Sequence, residues 1–212
     1  MLRTFLTASV VAILGTTVVA QSPMVQGCFP GTSGIINCPC GQPANPAGGC
    51  DNFGGGPSLG GVLDATGSAS LMTDTVVLNA TGLNGMVKTY FYTGTGSLNT
   101  GIPHGAGVRC VSINLRVLYP TAKPYGNGFW AWLIWLLTSK NAISSSGGAI
   151  SRPRPMFDHS VSERSKELGA PISAGQTRHY WVMYQDPLAA TPCGNSVSVV
   201  NLTNVGSITW GP

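Results

Sequence analysis

Four cysteines crowd into one short stretch, Cys28, Cys38, Cys40 and Cys50, and two more, Cys110 and Cys193, stand far downstream. All six lie behind a segment, Met1–Ala20, with the form of a secretory leader. Arg3 supplies its positive end, Phe5–Leu14 its apolar centre, and Val18-Val19-Ala20 a small-residue cleavage site. A transmembrane helix needs ~20 apolar residues, and Thr4, Thr7, Ser9, Thr16 and Thr17 interrupt this stretch. The mature chain is expected to start near Gln21 with no membrane span. An even cysteine count in an exported chain argues for disulfides. Cys38 and Cys40 are separated by a single residue, too close to bridge each other. The first four are therefore expected to pair locally, as Cys28–Cys38 with Cys40–Cys50 or as Cys28–Cys40 with Cys38–Cys50. Cys110 is then left for Cys193. That bridge would close a loop of over 80 residues, worth ~4 kcal/mol in the chain-entropy account.

Between the cysteines the composition is unusual. Only 8% of residues are charged, against roughly 25% in ordinary domains. The 43% hydrophobic content is enough to fill a core, which separates the chain from disordered ones. The formal charge of +4 is spread along the sequence, so no basic stripe for nucleic acid is expected.

The pattern divides the chain into a leader at 1–20, a Cys/Gly/Pro-rich extension at 21–57 and a domain at 58–212. The extension has no hydrophobic period and reads as a disulfide-stapled knot packed on the domain. Gly54-Gly55-Gly56-Pro57 is its joint. In the domain, Leu59–Asp64, Ser68–Met72, Thr75–Ala80 and Val87–Thr93 read as strands. Gly94–Gly107 reads as a glycine-rich loop. Val108–Tyr119 reads as one strand, with Val111, Ile113, Leu115 and Val117 at period two. Ser196–Leu202 and Ser207–Trp210 complete the set, and Ser162–Leu168 is the one candidate helical turn. Thr177–Gln185, rich in aromatic and β-branched residues, is the strongest strand. It places Tyr180, Val182 and Tyr184 on one face and His179, Trp181, Met183 and Gln185 on the other. Regularly spaced strands with turn signals between them predict an all-β fold, an antiparallel β-sandwich of immunoglobulin-like or jelly-roll-like type, with a disulfide-rich N-terminal extension.

An apolar insertion at about 120–139 breaks the pattern. Its centre, Phe129–Leu137, is an unbroken apolar run holding Trp130, Trp132 and Trp135. Burial under the sandwich and an exposed adhesive patch are its two readings.

Several clusters recur in an order that resembles a known family. They are Cys28-Phe29-Pro30-Gly31, Cys38-Pro39-Cys40-Gly41, Gly49-Cys50-Asp51-Asn52, Gly67-Ser68-Ala69-Ser70, Gly107-Val108-Arg109-Cys110, Val161-Ser162, Thr177-Arg178-His179-Tyr180, Tyr184-Gln185-Asp186-Pro187 and Ile208-Thr209-Trp210. The chain resembles a family of secreted, cysteine-containing, β-sandwich-like proteins of environmental bacteria to which no activity is assigned. The resemblance implies an exported disulfide-bonded β-domain and carries over no site residue. Two stretches depart from it: the insertion, and Trp181 and Met183, where the family more often has a polar residue and an aromatic.

Catalytic patterns are scarce. His104, His159 and His179 are far apart, without zinc-protease spacing. Asp158-His159-Ser160 holds the three residue types of a hydrolytic triad, but a triad assembles from separate elements, so adjacency points to a loop. Cys38-Pro39-Cys40 lacks the spacing zinc prefers, and no cofactor or metal is expected. The seven acids include no pair that stands out for glycoside hydrolysis. Asn79-Ala80-Thr81 and Asn201-Leu202-Thr203 fit the glycosylation sequon, as Asn- and Thr-rich chains do by composition. The aromatics Tyr90, Tyr92, Trp130, Trp132, Trp135 and Trp181 are the candidate ligand platform, since aromatic faces stack on apolar sugar surfaces; the bland alternative is that they fill the core. The expected role is a secreted or cell-surface non-catalytic binding or structural module, with an extracellular polysaccharide or a surface protein as partner. The alternatives are an extracellular hydrolase with a carboxylate pair and an adhesion or assembly subunit using the Trp-rich insertion.

Overall fold

A computed structural model describes residues 22–52, 60–84, 88–120, 148–154, 156–186 and 200–212. The chain is all-β, with 49% of the described residues in strands, about double the usual share. The strands are β1 (Val25–Gly27), β2 (Val62–Thr66), β3 (Val77–Leu83), β4 (Thr89–Gly94), β5 (Gly96–His104), β6 (Gly107–Ile113), β7 (Arg116–Pro120), β8 (Gly148–Arg152), β9 (Thr177–Gln185), β10 (Val200–Leu202) and β11 (Val205–Thr209). One short helix, α1 (Val161–Glu167), precedes β9. All pairings between these strands are antiparallel.

The large sheet runs β1-β11-β9-β4-β7, and β10 continues along the β11 side of β9. Strand β9 is its spine. It pairs with β4 on one edge, from Thr89↔Tyr184 to Gly94↔His179, and with β11 and β10 on the other. The period-two reading of β9 holds. Tyr180, Val182 and Tyr184 enter a core shared with the small sheet β2-β3-β8, through Leu63, Ala65, Leu78, Ala80 and Ile150. Trp181 faces the opposite way, into a second core with Val108, Cys110, Val111, Leu202 and Val205. The large sheet is therefore covered on both faces: by the small sheet on one, and by the β5–β6 hairpin with the cysteine-rich segment on the other.

The free edge of β2 shows how the two sheets are held. An edge strand leaves alternate backbone groups unpaired, and buried ones must find partners. Leu63 finds both in one side chain. Its N–H donates to Asn204 Oδ1 at 2.7 Å, and its carbonyl accepts from Asn204 Nδ2 at 3.1 Å. The Asn204 amide thus stands in for a neighbouring strand's peptide group. One step earlier, Gly61 donates to the Tyr184 hydroxyl and accepts from the Gly49 amide. One step later, Ala65 N–H donates to Asp64 Oδ1.

Three sequence expectations change here. The Gly94–Gly107 stretch is mostly strand: β5 pairs with β6 across the two-residue turn Gly105-Ala106, where Gly105 at φ +61° supplies the conformation such turns need. The Val108–Tyr119 stretch is two strands. Asn114 takes a left-handed conformation (φ +52°) and ends the run, so β6 pairs with β5 while β7 pairs with β4. Ile113 is consequently exposed, and Leu118, outside the expected alternation, is buried. Ser68–Met72 forms no strand and makes a single bridge, Ser70↔Gly211. The helical turn expected at Ser162–Leu168 is α1, started by a capping box between Ser160 and Glu163.

The disulfide pairing is also corrected. Cys38 pairs with Cys50, as one of the two local schemes has it, but Cys28 pairs with Cys110. This excludes both Cys28–Cys40 and Cys110–Cys193. The reason lies in β1, which joins the large sheet's edge at β11. Cys28 follows it directly in a left-handed conformation (φ +58°). The chain then turns over the second face, where β6 presents Cys110 with the two Cα atoms 6.0 Å apart. The extension is knit into the domain by this bridge and by β1. Cys40 is disulfide-bonded as well; Cys193 lies outside the described residues, as do the leader, the Gly54–Pro57 joint and the Phe129–Leu137 run.

Candidate functional site

Strand β4 alternates as its sequence directs. Phe91 is buried in the core under the small sheet, and Tyr90 and Tyr92 project to the second face. The register sets Tyr90 opposite Met183 and Tyr92 opposite Trp181. Tyr92 and Trp181 stack with ring centroids 5.1 Å apart and an interplanar angle of 15°. Trp181 is buried at 3% exposure, so this ring is core and cannot meet a ligand. Tyr90, Tyr92, His179 and Met183 are half-buried. Of the six candidate platform residues, the structure thus brings three together, Tyr90, Tyr92 and Trp181, with Trp181 closed off beside Tyr92. Trp130, Trp132 and Trp135 lie outside the described residues.

This face carries little charge. Burial, then the neighbouring Tyr90, pushes the Tyr92 phenol above its ordinary pKa. Burial holds the His179 imidazole below its ordinary value, and its Nδ1 shares a 2.8 Å hydrogen bond with Ser207 Oγ on the paired strand. Where the covering hairpin leaves them half-buried, the Tyr90 and Tyr92 rings suit an apolar ring face with hydroxyls around it.

A second polar cluster lies at the far end of β9. Asp186 is fully buried. Its Oδ1 accepts from Asn84 Nδ2 at 2.7 Å and its Oδ2 from Asn201 Nδ2 at 3.3 Å. Asn201 Nδ2 also reaches the carbonyls of Cys50 and Asp51, each at 3.1 Å. Tyr184, beside it, hydrogen-bonds with Asn52. The cluster fastens the chain at Asp51-Asn52, at Asn84 and at Asp186. Sequence reasoning missed it; the one signal was the polar run Asn201-Leu202-Thr203-Asn204 interrupting apolar strands. Because Asn201 is completely buried and bonded, its sequon cannot carry a glycan.

The other acids have local duties. Asp64 binds Ser22 and its own strand. Asp74 holds the amides of Val76 and Ser162, and Glu163 closes the capping box. Glu167 pairs with Arg164 and His159, and its pKa is lowered by the Arg164 hydrogen bond first. Burial alone would raise the Asp158 pKa. Bonds from the Arg154 backbone and the Arg152 guanidinium outweigh burial, and the net shift is downward. The Asp158-His159-Ser160 tripeptide therefore sends its side chains three ways: to arginines, to Glu167 and to the helix cap. Asp186 and Asp51 are neighbours through Asn201, but both Asp186 oxygens are occupied by amides and sealed from solvent. Among the described residues no group of three or more His, Cys, Asp or Glu is placed to hold a metal, and no helix is long and apolar enough to cross a membrane.

Compared with family models, curated proteins and solved structures, the chain gives no match.

Proposed function

We propose that this protein is a secreted, non-catalytic binding module, of the family it resembles, that takes extracellular carbohydrate on the β4–β9 face. The observation that carries the reading is the pair Tyr90 and Tyr92. They sit two residues apart on one strand, both partly open, and Tyr92 is braced by its stack on Trp181 of the neighbouring strand. Aromatic rings held at this spacing stack on apolar sugar faces with little entropy to lose. The sulfur chemistry supports the compartment. Cys28–Cys110 and Cys38–Cys50 tie the N-terminal segment to the domain, and such bridges persist in oxidising spaces outside the cytosol. The leader at Met1–Ala20 supports the same route.

Retention of the oxidised, folded protein on a panel of insoluble polysaccharides tests the ligand class. Retention on at least one glycan is expected, and it should fall at least about ten-fold in Tyr90→Ala, the loss of one stacked ring. Tyr90→Phe should keep most of it. No retention on any glycan, or retention unchanged in Tyr90→Ala, refutes the reading. Absence of the protein from the medium would refute the export route, and an N-terminus away from Gln21 on protein recovered there would refute the cleavage site.

A further inference from the structure

We infer that Met72 and Met156 are a pair of surface oxidation sites, converted to sulfoxides by peroxide while the core methionines are spared. Both belong to one end of the small sheet. Strand β8 runs antiparallel to β3 with Arg152 opposite Leu78, so the loop before β3 and the loop after β8 emerge together. Asp74, two residues beyond Met72, accepts from the Ser162 amide at 2.7 Å and ties the first loop to the start of α1.

The second loop is braced to hold its methionine outward. Asp158 Oδ2 takes three donors: Arg152 Nη1 at 2.8 Å, the Arg154 amide at 2.7 Å and Arg154 Nε at 3.3 Å. The amides of Phe157 and Asp158 both bond the Arg154 carbonyl. The Arg154 guanidinium lies 5.4 Å from the Phe157 ring centroid. Within this frame Met156 takes the left-handed conformation, φ +69°. It is 98% exposed, and Met72 is 85% exposed. A side chain that folds no neighbour and faces water is open to a small oxidant.

The contrast with the other described methionines is chemical as well as geometric. Met24 is 7% exposed, and its sulfur occupies the space where a Cβ on Gly206 would stand. It fills the notch that this glycine leaves between β1 and β11. Met183 is half-buried between Tyr90 and Leu202 of the paired strands. A sulfoxide oxygen in the Met24 notch has no room. At the two loop sites it points into solvent.

The step is a two-electron oxygen transfer. The thioether lone pair attacks one peroxide oxygen and the O–O bond breaks. The sulfur keeps that oxygen as a sulfoxide, and the other leaves as water after proton transfer.

Native, disulfide-intact protein treated with hydrogen peroxide and followed by peptide mass mapping tests the inference. One added oxygen is expected at Met72 and at Met156, each forming at least about ten times faster than at Met24 or Met183, in line with exposure. The Met72→Leu/Met156→Leu double variant should lose these two fast additions and keep the slow ones. Protein oxidised at both loop sites should keep its urea midpoint, since neither side chain packs in a core. Met24 or Met183 oxidising as fast as the loop pair overturns the inference, as does a lowered midpoint after oxidation of the pair alone.

Discussion

Replacing Asn204 by Ala removes the one side chain that serves both backbone groups of Leu63. Both residues are fully buried, so water does not take over without local opening. A buried backbone group deprived of its partner costs ~1–3 kcal/mol, and two are orphaned here, giving ~2–6 kcal/mol. For a domain whose whole stability is of the order of 5–15 kcal/mol, that is a large fraction. Urea unfolding at neutral pH with the bridges intact measures it. Hydrogen exchange at the Leu63 amide reports the mechanism directly, and its protection should collapse to that of a locally open edge. Asn204→Asp sharpens the test. It keeps an acceptor for the Leu63 N–H but turns a carboxylate oxygen toward the Leu63 carbonyl. This variant should be destabilised at neutral pH and regain stability relative to the alanine variant in acid, where a protonated carboxyl donates again. An alanine variant within ~0.5 kcal/mol of the parent, the range of bland surface changes, with Leu63 still protected, refutes the strand-mimic account.

Non-reducing peptide mapping is expected to return Cys28–Cys110 and Cys38–Cys50, with the third bridge, by count, joining Cys40 to Cys193. Removing the first bridge in Cys28→Ser/Cys110→Ser opens a closure of 82 residues, nominally about 4.5 kcal/mol, against about 3 kcal/mol for a closure the size of Cys38–Cys50. The larger loss in urea unfolding should therefore follow Cys28–Cys110. Acid should weaken the fold in two stages. Burial lowers the pKa of His104, helped by Arg109, and of His179. Both are favoured neutral in the native state, so their contribution is present above the unfolded imidazole value of ~6.5 and lost as pH falls through the lower folded values. Asp158, also lowered in the folded state, adds a loss further down, below the ordinary carboxylate range. A urea midpoint that rises between neutral pH and pH 5 contradicts the histidine assignment.

The sequence carried the strand spine well because β9 must bury both faces. Tyr180, Val182 and Tyr184 on one side and Trp181 on the other leave no other register for that stretch. It carried α1 because capping residues are local chemistry. Long-range pairing was not legible. The reading that Cys28 bridges a near neighbour assumed that the extension is a separate knot. A three-residue strand such as β1 has no periodic signature, yet its pairing with β11 decides where Cys28 lands. The split of Val108–Tyr119 was hidden for a related reason. A period-two pattern continues through Asn114, and only the left-handed backbone there, an Asn speciality, interrupts the strand, so that β6 stays with β5 and β7 passes to β4. The candidate site was half legible. Tyr90 and Tyr92 are where alternation puts them, but composition alone cannot tell an open ring from the closed one at Trp181.

A chain with so few charges must meet its buried polar groups by other means, and the amide side chains do it. Asn204 completes the edge of β2. Asn201 gathers Cys50, Asp51 and Asp186, Asn45 Nδ2 donates to the Gly60 carbonyl, and Gln42 Nε2 donates to the Ala106 carbonyl at 2.5 Å. An amide offers a donor and an acceptor at peptide-like spacing, so one side chain can satisfy both groups of a strand residue, which a carboxylate or an ammonium cannot. It also carries no charge to desolvate, whereas burying an unpaired ion costs far more than burying an amide. The described ion pairs are confined to the β8–α1 end, where Asp158 and Glu167 find arginines. The scarcity of charge and the abundance of Asn are thus one adaptation. Layered sheets with many edges and loops need neutral two-handed partners, and the disulfides then fix the segments that those partners hold.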